Sequence, residues 1–328
     1  MRLVSYIGSS GTRVGAFLDD DLKIIDLLEA AQIRSTADAL FRSMMSLIEA
    51  GQDGLNSARD LVAACPPGAV VRTEDVRLVA PLPVPAQIRD FLSFEQHFAN
   101  AMAMQMEVLI AQSGDPVEMR NTLEARGYGK IPPVWYDRPI YYTTSRFLVS
   151  GPDEEICWPS YSRTADYELE MAVIIGKTGR DITEDEAHSH IFGYTIYNDW
   201  SARDTQAKVM EGRLGPGRGK EFDQGVTLGP CIVTPDEIPD PYDLAMKAYV
   251  NGEQWSDGSS ATMYHRFERC IAELSLSQTL WPGEVIGSGT VGTGCGLEQN
   301  RFLNDGDVVE LYVEKIGWLR NRVHIKPA

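Results

Sequence analysis

Cysteine is scarce in this sequence, and its spacing excludes two kinds of cross-linked protein. The 328 residues include five cysteines, an odd number that is widely spaced and contains no Cys-x-x-Cys pair. Neither a disulfide framework nor a zinc cluster is expected from this pattern. Cys231 and Cys270 lie in apolar runs and are predicted to be core residues. Cys295 lies in a glycine-rich loop, so a core position and a place near reactive groups both stay open for it.

Positive charge and long apolar runs are also lacking. Lys and Arg number 30 against 47 Asp and Glu, which gives a formal net charge of -17. A surface this acidic repels polyanions, and nucleic-acid binding is therefore not expected. No apolar run approaches the roughly 20 residues of a membrane span, and the first residues lack the apolar core of a signal peptide. The sequence predicts a cytoplasmic protein that binds neither nucleic acid nor membrane.

The distribution of turn residues predicts two domains. In the first ~75 residues, short apolar runs separated by Gly- and Asp-rich turns indicate strands. Apolar residues recurring from Leu40 to Ile48 predict an amphipathic helix that ends at Gly51. Pro81, Pro83 and Pro85 then form an extended connector. We place a small α/β domain at residues 1–80 and a catalytic domain at residues 81–328, where many short strands and few helices predict an all-β or α+β fold.

Three apparent motifs fail on their context. Gly287–Gly292 fits G-x-G-x-x-G, but a turn and a strand follow it instead of the helix that a dinucleotide needs. Gly219-Lys220 lacks the remaining residues of a phosphate-binding loop. His188 and His190 are two apart on a predicted helix and point to different sides, so they are not expected to share a metal ion.

A pair of glutamates carries the first chemical signal. Glu168 and Glu170 are two apart in a predicted strand and therefore share a face. Two adjacent carboxylates repel each other by about 1 kcal/mol in water, and by more in a dry site, and a divalent cation relieves that repulsion. The alternative is a solvent-facing edge strand. However, the strand continues as Met171–Ile175, apolar on both faces, which places the pair at the end of a buried strand.

A second strand end supplies a third carboxylate. Asp199 follows the apolar run at residues 191–196, with Arg203 and Gln206 shortly after it. Asp199 could complete a site of three carboxylates that leaves positions open for water and substrate. Oxygen ligands of this kind suit Mg²⁺ or Mn²⁺, and they also bind Ca²⁺.

These two segments together resemble a known signature. Glu-Leu-Glu at 168–170, followed by Asn-Asp-Trp-Ser-Ala-Arg-Asp-x-Gln at 198–206, is similar to the pattern of the fumarylacetoacetate hydrolase superfamily. The resemblance implies an α+β protein with a mixed β-roll/β-sandwich catalytic domain, a homodimer, and a metal held by Glu168, Glu170 and Asp199. It also implies a catalytic lysine and substrate-contacting side chains, which correspond here to Lys220 and to Arg203, Gln206 and Thr290. An exposed loop lysine is the alternative interpretation of Lys220.

A further stretch resembles fumarylacetoacetase itself. Asp90-Phe-Leu-Ser-Phe-Glu-Gln-His97 matches a segment in which the aspartate is a fourth metal ligand and the histidine is the base that activates water. Leu92 stands where that enzyme has a tyrosine. Without the resemblance, His97 ahead of a helix is more typical of a surface or capping residue. A base needs an acid to orient it, and Glu298 and Glu95 are both candidates.

The expected chemistry is hydrolysis of a carbon–carbon bond in a 2,4-dioxo acid. The metal would act as a Lewis acid, and His97 would take a proton from water. The hydroxide would attack the distal carbonyl, while Lys220 with Arg203 or Gln206 stabilises the oxyanion and the other fragment leaves as an enolate. Two alternatives stay open: isomerisation, hydration or decarboxylation of an oxo-acid, and a protein of low turnover that binds metal and oxo-acid.

Overall fold

The computed structural model describes residues 1–9 and 11–326. Its strands are β1 Arg2–Gly8, β2 Gly11–Leu18, β3 Lys23–Asp26, β4 Val70–Arg72, β5 Arg77–Val79, β6 Gln87–Phe91, β7 Tyr141–Thr144, β8 Val149–Ser150, β9 Glu155–Cys157, β10 Ala165–Asp166, β11 Leu169–Ile175, β12 Gly179–Arg180, β13 Ile191–Asp199, β14 Ser201–Ala202, β15 Val226–Val233, β16 Ala245–Val250, β17 Glu253–Ser259, β18 Thr279–Leu280, β19 Glu284–Gly287, β20 Val308–Val313 and β21 Gly317–His324. Its helices are α1 Leu27–Ile33, α2 Met44–Glu49, α3 Gly51–Ala64, α4 Glu95–Ala111, α5 Pro116–Ala125, α6 Pro133–Asp137, α7 Glu184–Ala187, α8 Arg203–Met210 and α9 Phe267–Ser275.

Two sheets organise the chain. The larger has twelve strands in the order β4-β3-β2-β1-β15-β13-β11-β19-β6-β7, with β5 paired to β1 and β8 paired to β15. The smaller has five strands in the order β17-β16-β20-β21-β9. Strands of both parallel and antiparallel pairing occur in the larger sheet, since β6 runs parallel to β19 and antiparallel to β7. The predicted α+β fold with mixed sheets is confirmed.

Both faces of strand β11 are buried, which explains its unbroken apolar run. Met171 and Val173 belong to a core cluster that also includes Met246 of β16. Ala172 and Ile174 belong to a second cluster, which includes the helix residues Leu27, Leu47 and Ala58. The central strand is therefore covered by apolar side chains on each side, and no side-chain alternation is required of it.

The N-terminal segment extends the larger sheet. Strand β1 pairs antiparallel with β15, where Leu3 lies opposite Ile232. Hydrogen bonding thus continues across the predicted boundary, and the division at residue 80 stays a prediction. The helix predicted from Leu40 to Ile48 is shorter than expected, because Ser43 accepts a hydrogen bond from the backbone N–H of Ser46 and starts α2 there. Gly51 was expected to end this helix. It has φ of 57° and is instead the first residue of α3.

Candidate active site

Three carboxylates converge from neighbouring strands of the larger sheet. Asp90 lies in β6, Glu170 in β11 and Asp199 at the end of β13, and one oxygen from each lies within 4.8 Å of the others. Strand β19 separates β6 from β11, and its residue Gly287 pairs with Asp90. A Cβ at Gly287 would lie 2.3 Å from Oδ1 of Asp90. Glycine at this position therefore leaves room for the cluster.

The charges of this cluster are incompletely balanced by the protein. Burial and the neighbouring Asp199 raise the pKa of Asp90, and burial and Asp90 raise the pKa of Glu170. Within the part of the chain that the structure describes, Oδ1 of Asp199 is a buried oxygen that has no hydrogen-bond partner. Carboxylates that repel each other, together with an unpartnered buried oxygen, fit a hard divalent cation such as Mg²⁺ or Mn²⁺.

Several donors hold these carboxylates in place. The backbone N–H of Gly289 donates to Oε2 of Glu170 at 2.9 Å and to Oδ1 of Asp90 at 3.2 Å. The hydroxyl of Thr290 donates to Oε1 of Glu170 at 3.4 Å. The hydroxyl of Tyr142 donates to Oδ2 of Asp199 at 2.6 Å. Tyr142 is not among the residues predicted from the sequence, because nothing in the pattern around Tyr141 and Tyr142 shows which of them faces the acids.

We expect Gly289→Ala to lower the free energy of unfolding by about 3 kcal/mol or more. Gly289 has φ of 78°, and a Cβ would lie 2.2 Å from the carbonyl oxygen of Phe91. Gly306 has φ of 84° with no heavy atom within 4 Å of its Cβ position, so Gly306→Ala should cost only the left-handed backbone penalty, about 1 kcal/mol. Denaturant titration of both variants measures the difference. An equal loss of unfolding free energy in the two variants would show that the nearby carbonyl oxygen of Phe91 does not require glycine at position 289.

Glu168 occupies a different position from the other three acids. Its Oε1 lies 2.8 Å from Nη1 of Arg203, and its Oε2 lies 2.7 Å from Nζ of Lys220. Burial alone would raise the pKa of Glu168, but Lys220 and Arg203 hold it well below its ordinary value. Glu168 lies one residue before β11 and forms an isolated β-bridge with Cys295, so only Glu170 belongs to the predicted strand. Both glutamates nevertheless line the same cavity. Glu168 is paired with cations here, and its role as a metal ligand stays a prediction.

Lys220 is a buried residue, so its interpretation as an exposed loop lysine is wrong. Its side chain is 3% exposed, and its Nζ lies 2.5 Å from Oδ2 of Asp199 and 2.6 Å from Oγ of Ser201. Its three N–H groups donate to Oγ of Ser201, to Oε2 of Glu168 and to the backbone carbonyl oxygen of Asp199 at 3.3 Å, which uses every donor of the ammonium group. Burial would lower the pKa of Lys220, but Asp199 and Glu168 raise it. Lys220 is therefore a charged link between the acids.

Arg203 and Gln206 lie beside this link. Nε of Arg203 donates to Oδ2 of Asp166 at 2.8 Å, and Nη1 donates to Oε1 of Gln206 at 3.0 Å. Both residues line the cavity with Thr290. Asp166, which is not among the predicted site residues, is fully buried. The predicted substrate-contacting residues are thus brought together at one cavity, and their roles stay predictions.

His97 forms a pair with Glu298. Its Nδ1 lies 2.8 Å from Oε1 of Glu298, while Oε2 of Glu298 accepts from Asn100 at 2.6 Å and from the backbone N–H of Thr293 at 2.8 Å. The other candidate partner, Glu95, instead accepts from the hydroxyl of Tyr136 at 2.6 Å. The acid beside His97 is therefore Glu298. His97 is buried, so its interpretation as a surface residue is wrong.

Cys295 is both buried and close to this pair. Its Sγ lies 3.5 Å from Oε1 of Glu298 and 3.9 Å from Nδ1 of His97. Burial raises the pKa of the Cys295 thiol well above its ordinary value. A thiol that is kept protonated is a poor nucleophile, so its contribution here is a weak hydrogen bond to Glu298.

One cavity of about 310 Å³ connects these groups. It is lined by Asp90, Glu168, Glu170, Asp199, Lys220 and His97, together with apolar side chains from α4 and the loops around it. The two rejected histidines lie elsewhere: His190 contacts the carbonyl oxygen of Lys177, and His188 is exposed. The arrangement places carboxylates that could hold a cation and His97, which is paired with Glu298, at one cavity.

The stabilisation provided by a divalent cation is expected to increase with pH. Because the pKa values of Asp90 and Glu170 are raised in the folded protein, their contribution to stability is present below the ordinary carboxyl pKa and is lost as pH rises through the raised values. Cation binding requires the deprotonated carboxylates. Melting temperatures with EDTA and with Mg²⁺, from about pH 5 to about pH 8, should therefore diverge as pH rises. A difference that does not change with pH would contradict this assignment.

The fold and the pocket give the geometry of the candidate site, and comparison with known proteins gives the family of the chain. Residues 113–324 match the model for the fumarylacetoacetate (FAA) hydrolase C-terminal domain. The chain belongs to the fumarylacetoacetate hydrolase family, which confirms the resemblance seen in its motifs. Asp90 and His97 lie before the matched residues.

Within the described residues, no helix is long and apolar enough to cross a membrane.

Relatives of this chain carry out more than one reaction. Oxaloacetate tautomerase YisK of Bacillus subtilis is 29% identical over 318 residues, which cover 94% of this chain and 95% of that protein. The 2,4-didehydro-3-deoxy-L-rhamnonate hydrolase of a Sphingomonas species is 38% identical over 187 residues, which cover 56% of this chain and 65% of that one. The fold is that of maleylpyruvate hydrolase from Sphingobium sp. SYK-6, solved with manganese(II) and pyruvate. The superposition of the two structures covers all of both chains, with a TM-score of 0.71 and 23% sequence identity.

Proposed function

We propose that this protein is a divalent-metal-dependent hydrolase that cleaves a carbon–carbon bond in a 2,4-dioxo acid. The observation that carries the proposal is His97, whose Nδ1 lies 2.8 Å from Oε1 of Glu298, at the cavity that Asp90, Glu170 and Asp199 also line. A base supported by a buried acid is what hydrolysis needs to generate hydroxide from water. The related hydrolase from Sphingomonas supports the same reaction class.

The residues of this chain would divide the work as follows. A divalent cation on Asp90, Glu170 and Asp199, with Glu168 as a fourth candidate ligand, would polarise the substrate oxygens and stabilise negative charge. His97 would take a proton from water, and Glu298 would orient the ring and stabilise its positive charge. The hydroxide would then attack the distal carbonyl carbon. The bond to the neighbouring carbon would break, and proton return would give a carboxylic acid and a 2-oxo acid.

The contacts of Lys220 change its expected role. Its three donors are bound to Oε2 of Glu168, the backbone carbonyl oxygen of Asp199 and Oγ of Ser201, so stabilisation of an oxyanion by Lys220 would require one of these bonds to break. We propose that Lys220 chiefly orients Glu168 and Asp199. Arg203 and Gln206, which line the cavity, stay candidates for contact with the substrate. The homodimer implied by the resemblance is also retained as a proposal.

Keto–enol interconversion of an oxo-acid is the second candidate. The 29% identity to an oxaloacetate tautomerase extends over nearly the whole of both chains. The same His97 could move a proton between carbon and oxygen without delivering water. This reaction makes no new carboxylic acid, so product analysis separates it from hydrolysis.

The deciding experiment is a substrate panel with product identification. Acylpyruvates and oxaloacetate are incubated with Mg²⁺, with Mn²⁺ and with EDTA, and diketone absorbance and released acids are followed. Metal-dependent release of a carboxylic acid from an acylpyruvate supports the hydrolase. Faster keto–enol interconversion of oxaloacetate, with no acylpyruvate consumed, would replace it by the tautomerase. Tight binding of oxalate without any product would indicate a binding protein.

A further inference from the structure

Helix α4 forms a continuous wall of the cavity. Phe98, Ala101, Met102 and Gln105 line it, and their i, i+3, i+4, i+7 spacing places them on one face of the helix. His97 lies at the start of the same helix and also lines the cavity. Because an α-helix rises 1.5 Å per residue, Gln105 lies about 12 Å along the axis from His97. The cavity therefore extends away from the proposed base along an almost entirely apolar face.

Other elements continue this apolar surface. Leu92, Ile140, Met210 and Leu297 line the same cavity. Leu92 and Ile140 come from the segments that flank β6 and β7, and Met210 ends α8. The neutral polar groups on the walls away from the acids are few, and Gln105 is one of them. Such a wall favours a substrate arm that has carbon and hydrogen at its surface.

The positive charges at the cavity are already neutralised. Among the described residues that line it, the cations are Lys220 and Arg203. Lys220 is paired with Glu168 and Asp199, and Arg203 is paired with Asp166 and Glu168. A second carboxylate on the substrate would give up part of its hydration against these apolar walls without gaining an unpaired cation, which is unfavourable. The overall charge of -17 adds repulsion of a second carboxylate at longer range.

We propose that this site selects oxo-acids whose arm is uncharged and apolar, and that helix α4 is the element that selects them. The inference rests on the proposed function for its reacting end, where a 2-oxo acid group meets the carboxylate cluster, and it adds the chemistry of the other end. The cavity volume of about 310 Å³ provides space for an arm of several carbons. Dicarboxylic substrates such as oxaloacetate or a fumaryl-bearing acid match these walls poorly.

The test uses two series of acylpyruvates matched in length, one with an alkyl arm and one whose arm ends in a carboxylate. For the alkyl series, kcat/KM should rise about threefold per added methylene until the cavity is filled. The carboxylated substrate of equal length should have a kcat/KM at least about tenfold lower. A preference for the carboxylated series would overturn the proposal.

A charge placed on the wall should reverse this preference. Met102→Lys is expected to raise kcat/KM for the carboxylated arm and lower it for the alkyl arm, each by about tenfold. Met210→Lys, on the other wall, gives a second and independent variant if Met102→Lys folds poorly. Ala103→Lys is the matched control, because Ala103 is exposed on the same helix and does not line the cavity. An equal effect of Ala103→Lys would show that the preference reflects overall charge.

A binding measurement separates this inference from the proposed function. Calorimetric titration of the Mg²⁺-loaded protein with an alkyl 2-oxo acid, and with the ω-carboxylated acid of the same length, needs no turnover. Tighter binding of the alkyl acid by about tenfold or more supports the arm preference, even if no acylpyruvate is cleaved. The absence of cleavage would contradict only the proposed hydrolysis. Cleavage of acylpyruvates combined with equal or tighter binding of the carboxylated acid would leave hydrolysis standing and overturn the arm preference.

Discussion

Replacing His97 with asparagine is expected to lower kcat for acylpyruvate cleavage by about 10²–10⁴-fold, the usual contribution of a positioned base. Asparagine can still donate a hydrogen bond towards Glu298, which lies 2.8 Å from Nδ1 of the native ring, but it cannot accept a proton from water. Steady-state kinetics measure the loss, and calorimetry with Mn²⁺ should show unchanged metal binding. Glu298→Gln should give a smaller loss in kcat, since the base remains and only its charged partner is removed.

The control for this prediction is His188→Asn. His188 is exposed, and its replacement should leave the kinetics of the enzyme unchanged. A His97→Asn protein that retains full hydrolytic activity would exclude His97 as the base. If acylpyruvate cleavage were absent from the wild type while oxaloacetate tautomerisation depended on His97, the residue would keep its role as a proton carrier and the reaction would be the second candidate.

The second large effect is expected from Glu170→Gln, which should remove both metal binding and activity. Glu170 is fully buried, and its Oε2 already accepts from the backbone N–H of Gly289 at 2.9 Å. The amide would present either a neutral oxygen or a donor to the cation. Loss of a group that merely supports a ligand weakens metal affinity by 10–100-fold, so loss of the ligand charge itself should raise the Kd for Mn²⁺ by more than about a hundredfold.

Stability distinguishes a lost ligand from a damaged fold. In EDTA, Glu170→Gln should be at least as stable as the wild type at neutral pH, because burial and Asp90 disfavour the charged form of Glu170 and the amide carries no charge. The free energy of unfolding, measured by denaturant titration, tests this expectation. Glu184→Gln is the matched control, since Glu184 belongs to an exposed ion pair with Arg269 that is worth little. A Glu170→Gln protein that binds Mn²⁺ normally would contradict the proposed metal centre.

Much of the fold could be predicted from local patterns. The apolar run Met171–Ile175 indicated a strand covered on both faces, and two core clusters cover it. The sequence Thr183-Glu-Asp-Glu186 predicts a capping box, and this capping box is present at the start of α7. The helix expected beside His97 is α4, Glu95–Ala111, and it begins two residues before His97. Helix boundaries were less accurate where a single side chain decided them, as at Ser43, because the spacing of apolar residues does not show a capping hydrogen bond.

The candidate site was also visible in part. Spacing within one strand placed Glu168 and Glu170 on one face, and both line the cavity. Spacing could not show that Glu168 would be neutralised by Lys220 and Arg203, because that depends on a loop and a helix that pack against the strand end. Nor could it choose between Glu298 and Glu95 as the partner of His97. Glu298 is 201 residues away in the chain, and only the folded structure brings it within 2.8 Å.

By itself, the amino-acid sequence determined the residues that make this chemistry possible: carboxylates at strand ends, a histidine at a helix start, and glycines where no Cβ fits. These features follow from side-chain chemistry and from the periods of strands and helices, which act over a few residues. The tertiary structure decided which charges face each other. Asp90, Glu170 and Asp199 meet because β6, β19, β11 and β13 are neighbours in one sheet, and the strength of their repulsion follows from burial and distance, which are properties of the folded chain alone.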